Sequence, residues 1–220
     1  MGFVPIVPPI LTVSTTPIHP MTPESWDQAR EAIARGALVA FPTDTVYGVA
    51  CDPRNVAAIE RLYAVKGRVR EKAIPLLLSS VRRIEEVARD VPDAARVLGD
   101  AFWPGGLTLI VPRAPGLPQE LGGGATIAVR VPDHAELCAF LESCGGALAT
   151  SSANLSGQPD ALTAEQVVAY FGDLVNVIVD GGATRGGIPS TVVDCTPVTP
   201  AILREGAIPR AQIEQALTDE

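Results

Sequence analysis

Apolar runs of strand length recur along this chain, separated by stretches with a helical period, and that alternation restricts the fold more than any other feature. Ala37–Phe41, Ile74–Leu78, Leu107–Val111, Thr126–Val131, Ala147–Thr150, Val175–Val179 and Thr191–Cys195 read as buried or half-buried strands, and Ile202-Leu203 adds a last one. Between them, helices are expected over Thr22–Gly36, Asn55–Val65, Val81–Ala88, Pro92–Phe102, His134–Ser143, Ala164–Phe171 and Arg210–Leu217. The first has the clearest start, because Thr22-Pro23-Glu24 supplies an N-cap, a proline at the first helical position and an acidic first turn. Several strands follow one another with no helix between, so a clean βαβ repeat is ruled out. The expected fold is α/β: a single domain whose twisted, mixed parallel and antiparallel sheet is flanked by helices and carries an open concave cleft. Residues 1–20 are proline-rich and lack a helical period, so they read as an extended arm preceding a domain over 21–220.

Charge and composition narrow the function. With 17 Lys+Arg against 25 Asp+Glu the net charge is −8, which argues against coating nucleic acid by bulk charge but leaves room for a local basic pocket. No apolar run is long enough for a membrane span, and the first twenty residues lack the basic start of a secretory signal. The four cysteines (Cys51, Cys138, Cys144, Cys195) have no metal-ligand spacing, so reduced thiols in a cytoplasmic protein are expected. The two histidines, His19 and His134, have no nucleophile motif near them, and Ser152 lacks a G-x-S-x-G context.

What remains is a set of polar and glycine-rich segments at strand ends, where open α/β sheets bind ligands. Pro42-Thr-Asp-Thr-Val-Tyr-Gly48 follows a buried strand, and its Thr and Asp side chains would serve a self-bonded turn equally well. Lys66-Gly-Arg68-Val-Arg-Glu-Lys72 is the densest basic run; it is either a solvated face or an ammonium and a guanidinium aimed at a polyphosphate. A P-loop is absent. Thr150-Ser-Ser-Ala-Asn-Leu-Ser-Gly157 offers uncharged donors and acceptors after an apolar strand. Asp44, Asp52 and Asp194 do not form a cation loop, so any magnesium would arrive with a nucleotide and no protein metal site is expected.

Taken in order, Pro42–Gly48, Lys66-Gly-Arg68, Trp103-Pro-Gly-Gly-Leu-Thr108, Arg130-Val-Pro132, Ser152-Ala-Asn154 with Ser156-Gly157, Pro189-Ser-Thr-Val-Val-Asp194 and Leu203-Arg-Glu-Gly206 resemble the threonylcarbamoyl-adenylate synthase family, the YrdC-like domain. The chain is similar to the short form of that family, without an extra C-terminal domain. The resemblance implies a nucleotidyltransferase that joins L-threonine, bicarbonate (or CO2) and ATP into L-threonylcarbamoyl-AMP and pyrophosphate. The product would pass to downstream tRNA threonylcarbamoyl-transferase proteins, with direct tRNA contact left open. The resemblance also implies Mg2+ with ATP. Position by position, it places Lys66 and Arg68 in the catalytic role, and Lys66, Arg68, Thr126, Ser152, Asn154 and Arg204 around ATP. It places Thr45, Arg130, Ser152 and Ser190 around threonine. The sequence departs from the family pattern after Arg68 and again across Gln158–Thr163, where no ligand role is assigned. Two other readings compete: an RNA-binding module of the same fold without adenylate synthesis, and a carbamoyl-transfer enzyme of the hydrogenase-maturation kind, which is normally a much larger chain.

Overall fold

The computed structural model describes residues 16–184 and 187–218. Its frame is a ten-stranded sheet made of β1 (Ile18–Pro20), β2 (Val39–Phe41), β3 (Gly48–Cys51), β4 (Leu76–Leu78), β5 (Leu107–Pro112), β6 (Thr126–Arg130), β7 (Ala147–Ser152), β8 (Val177–Asp180), β9 (Thr191–Asp194) and β10 (Ala201–Arg204). The spatial order is β1-β8-β2-β3-β7-β4-β6-β5-β9-β10. Pairings β1–β8, β2–β8, β4–β6 and β5–β9 are parallel; β2–β3, β3–β7, β4–β7, β5–β6 and β9–β10 are antiparallel. The expected mixed sheet is therefore present.

Helices cover both faces: α1 (Pro23–Ala34), α2 (Val56–Lys66), α3 (Ile84–Val87), α4 (Asp93–Phe102), α5 (Ala135–Ser143), α6 (Ala164–Phe171) and α7 (Arg210–Thr218). Their starts follow capping chemistry. Thr22 accepts a hydrogen bond from the Ser25 N–H, Asn55 from Ala58, and Thr163 from Gln166. α2 ends where Gly67 turns left-handed at φ 56°, which sends the basic run away from the helix axis. On one side α1 and α5 close over the sheet through Trp26, Phe41 and Phe140, with the Trp26 and Phe140 rings 4.8 Å apart. On the other, α2 and α4 pack Ile59, Leu62 and Leu98 against Val49, Leu76 and Leu109. Inner strands buried on both faces explain why they read as continuous apolar runs rather than as alternating ones.

Three differences from the sequence reading have physical causes. Ile18–Pro20 forms an edge strand beside β8, Ile18 facing Ile178, so the sheet begins inside the expected arm; prolines are tolerated at such an edge. Thr16 ties the start of this strand to the Gly172 carbonyl and the Asp173 carboxylate. Residues 1–15 lie outside the described residues. Gly48, read as the end of a polar segment, instead opens a fully buried strand, Gly48–Cys51, that pairs Gly48 with Phe41 on one side and Ser152 on the other. A Cβ at Gly48 would sit 2.9 Å from Thr150 Cγ2, so the glycine is required by the close approach of β7. Finally, β7 continues through Ser152, because β3 supplies hydrogen-bond partners for its polar end.

Candidate active site

A cleft of about 160 Å3 opens across the middle of the sheet. The β2–β3 loop brings Thr45 and Tyr47 to it, β7 brings Ser151 and Ser152, and Thr108 comes from β5. Arg130 comes from the end of β6, Ser190 and Arg204 flank the β9–β10 hairpin, and Arg68 arrives from beyond α2. Segments far apart in sequence thus converge at one place, as the strand-end argument expected.

The Thr43–Thr45 turn is both self-bonded and part of the cleft. Thr43 Oγ1 accepts from the N–H groups of Thr45 and Val46 and donates to the Val46 carbonyl at 2.7 Å. Thr45 Oγ1 shares a 3.0 Å hydrogen bond with Thr43 Oγ1 and accepts from Arg130 Nη1 at 2.9 Å. Arg130 also donates through Nε to the Gly105 carbonyl (2.9 Å) and through Nη2 to Asp44 Oδ1 (2.6 Å). Burial lowers the Arg130 pKa while Asp44 counters it, and a guanidinium stays charged in any case. In the same cleft, Ser190 Oγ and Thr108 Oγ1 share a hydrogen bond of 2.8 Å. Arg204 clamps the Ser190 carbonyl through Nε and Nη2 at 3.1 and 2.8 Å.

The basic run divides. Arg68 lines the cleft, held by donation from Nε to the Lys72 carbonyl and from Nη2 to the Ala73 carbonyl. Arg70 pairs with Glu60 and lies over the Tyr63 ring. Lys66 turns the other way. It is 2% exposed, and its ammonium donates to the carbonyls of Ser152 (2.5 Å) and Asn154 (2.6 Å), behind the cleft wall. Burial, followed by the nearby Arg68 charge, pulls its pKa down to about 8, with Asp160 pulling the other way. The turn it holds is closed further by Ser152 Oγ donating to Asn154 Oδ1 (2.6 Å) and Asn154 Nδ2 donating to the Gln158 carbonyl (2.5 Å).

Of the residues singled out in the sequence, Thr45, Arg68, Arg130, Ser152, Ser190 and Arg204 line the cleft together. Lys66 and Asn154 stand immediately behind it, and Thr126 caps its own glycine turn by donating to the Gly123 carbonyl. Sequence reasoning missed Thr108, Tyr47, Asp44 as the Arg130 partner, and Asp160. Thr108 ends the Trp103–Thr108 motif and Tyr47 sits within the Pro42–Gly48 motif, so both carried a signal. Asp160 carried none. His134 serves as the N-cap of α5, accepting from the Leu137 N–H. Among the described residues no group of three or more His, Cys, Asp or Glu could hold a metal ion.

Residues 31–206 match the Sua5_yciO_yrdC family model, described as telomere recombination. The chain belongs to the Sua5/YciO/YrdC family. Within it, a protein named threonylcarbamoyl-AMP synthase from Pyrococcus abyssi is 38% identical over 186 residues, covering 84% of this chain but 55% of the relative. This chain therefore spans little more than half the length of that relative. A synthase of the same name from Idiomarina loihiensis is 35% identical and is covered over 99% of its length. The crystal structure of P. abyssi Sua5 complexed with L-threonine superposes with a TM-score of 0.86 at 36% identity, over 91% of this chain and 60% of that one. The Sua5/YciO/YrdC fold is thus shared across nearly the whole described sheet.

Proposed function

We propose that this member of the Sua5/YciO/YrdC family is an L-threonylcarbamoyladenylate synthase, a nucleotidyltransferase that uses L-threonine, bicarbonate or CO2, and ATP. The observation that carries the reading is the cleft itself: one small cavity holds a buried guanidinium beside a threonine hydroxyl, together with two further guanidinium groups. The names of the relatives and the threonine complex of P. abyssi Sua5 support the same reading. They lend nothing to an RNA-binding module without adenylate synthesis.

In this reading Arg130 receives the threonine carboxylate in a two-pronged pair, and Thr45, Ser152 and Ser190 read its hydroxyl and amine. A hydroxyl-lined site rejects an apolar analogue strongly, because its buried polar groups would be left without partners. The neutral threonine amine adds to CO2 to form an N–C bond and releases a proton to solvent; from bicarbonate the same carbamate forms with loss of water instead of the proton. A carbamate oxygen then attacks the α-phosphorus of ATP, forming an O–P bond while the bond to pyrophosphate breaks. The carbamate is already the nucleophile, so no serine or cysteine intermediate is required, and the chain contributes positioning and charge. Arg68 and Arg204 neutralise the phosphates directly. Lys66 adds a positive charge from behind and holds the Ser152–Asn154 turn that faces the nucleotide. Thr126, at the start of β6, borders the adenosine side.

Magnesium enters as part of the MgATP substrate, since Asp160 is the one carboxylate among the described lining residues. The product would pass to tRNA threonylcarbamoyl-transferase proteins. Four free thiols suit a reducing compartment such as the cytoplasm, and no described helix is long and apolar enough to cross a membrane.

The test is pyrophosphate release from MgATP by native protein, with L-threonine and bicarbonate supplied together or singly, followed by product mass. Release that needs both co-substrates, with a mass matching threonylcarbamoyl-AMP, is the expected result. Release independent of threonine, or none under any combination, would overturn the reading.

A further inference from the structure

Asp160 stands apart from the other groups of the cleft. It lies in the Gln158–Thr163 segment, which joins the Ser152–Asn154 turn to α6, and it reaches the same cavity as Arg68 and Arg204. Among the described residues no hydrogen bond or ion pair ties its carboxylate down. Asp44, the other nearby acid, is committed to Arg130. Setting that neutralised pair aside, Arg68 and Arg204 line the cleft with two positive charges, Lys66 adds a third from behind its wall, and Asp160 offsets one of the three. A cavity built only to hold a polyanion has no use for a free carboxylate, because it lowers affinity for every phosphate that enters.

On the reading of the cleft as a nucleotide site, we infer that Asp160 is a specificity-determining residue for the ionic form of the substrate. It makes the cleft take the magnesium complex of ATP and turn away the uncomplexed anion. Fully ionised ATP carries about four negative charges and its magnesium complex about two, so the two net positive charges of the cleft match the complex. The carboxylate repels the bare triphosphate and is attracted by the cation that the complex carries. The effect on Lys66 and Arg204 agrees in direction, since the Asp160 charge favours the protonated form of both. The same preference guards the reaction, because a nucleotide bound without its cation would hold the arginines while lacking the charge that lets pyrophosphate leave.

The test is direct binding of ATP, by calorimetry, to native protein and to Asp160→Asn, in excess magnesium and again in EDTA. Native protein is expected to bind MgATP at least about tenfold more tightly than free ATP. In Asp160→Asn the ratio should fall to within about threefold, mainly because free ATP binds more tightly. Asp160→Glu should restore the preference. Glu31→Gln, which changes net charge equally on the exposed face of α1, should leave the ratio as it is in the native protein. An unchanged ratio in Asp160→Asn, or an equal change in Glu31→Gln, would overturn the role of Asp160 and leave the nucleotide site standing. Failure of native protein to bind ATP in either form would overturn the nucleotide reading and this inference together.

Discussion

Replacing Lys66 by Met separates two roles that this residue combines. Met keeps an unbranched side chain one atom shorter, occupies most of the same 2% exposed position and removes the three N–H donors. Two buried carbonyls, those of Ser152 and Asn154, then lose their partner, at about 1–3 kcal/mol each. Against this, the native protein keeps a desolvated ammonium whose pKa is pulled from 10.5 to about 8, which costs it about 3 kcal/mol near neutral pH. The two effects nearly offset, so Lys66→Met should lose no more than about 3 kcal/mol at pH 7. The sign with pH is decided by the direction of the shift. Between about 8 and 10.5 the unfolded chain holds a proton on Lys66 that the folded chain lacks, so native stability rises with pH across that window. It is lost again as pH falls through the folded value. A neutral amine still has two N–H groups for the two carbonyls, so the anchoring persists while the penalty vanishes. Urea unfolding of both proteins should show the stability gap widening by about 2 kcal/mol from pH 7 to pH 9.5, with all other titrating groups cancelling in the difference. A gap that stays flat or narrows would refute the argument, because it would mean the carbonyls already compensate the ammonium in full.

Three further outcomes follow from the same geometry. Arg130→Lys gives up the fork that spans Asp44, Thr45 and Gly105, so KM for threonine should rise at least about tenfold while KM for ATP moves less than about threefold; steady-state kinetics would show otherwise if both moved together. In Gly206→Ala the new Cβ would lie 2.2 Å from the Pro189 carbonyl oxygen and 2.7 Å from the Ser190 carbonyl, so thermal unfolding should show a loss above about 2 kcal/mol. Tyr47→Phe strips the hydroxyl that donates to the Gly182 carbonyl at 2.8 Å, and urea unfolding should register about 1–3 kcal/mol, with no loss if water replaces it.

The sheet was legible wherever burial on both faces left an uninterrupted apolar run, as at Val39–Phe41 and Leu76–Leu78. It was illegible at Gly48–Cys51, where four residues with a leading glycine carry little strand signal of their own, and the strand exists because β2 and β7 lie on either side. The strand at Ile18–Pro20 is likewise fixed by its neighbour β8, and its flanking prolines point away from any sheet. In the site, residue types and their order announced the chemistry, but partners could not be read. Lys66 and Arg68 look equivalent in sequence. The left-handed turn at Gly67 sends one behind the wall and the other into the cavity.

Those unreadable partners share a property that explains how an acidic chain builds a cationic cleft. Arg30, Arg35, Arg70, Arg83, Arg96 and Arg210 pair with carboxylates, and none lines the cleft. At the cleft the fastening is different: Lys66 is held by the carbonyls of Ser152 and Asn154, Arg68 by those of Lys72 and Ala73, and Arg204 by that of Ser190. A carbonyl fixes the direction of a donor without neutralising its charge, whereas a carboxylate does both. Cations fastened this way stay oriented and electrically available, so an incoming polyanion gains attraction in a partly dry cavity with little side-chain ordering left to do. Arg130 is the exception. Its carboxylate partner Asp44 holds it in place and neutralises it, which suits a group meant for a single carboxylate rather than for a triphosphate. The contrast between one neutralised guanidinium and two charged ones in the same cleft therefore follows from what each is tied to.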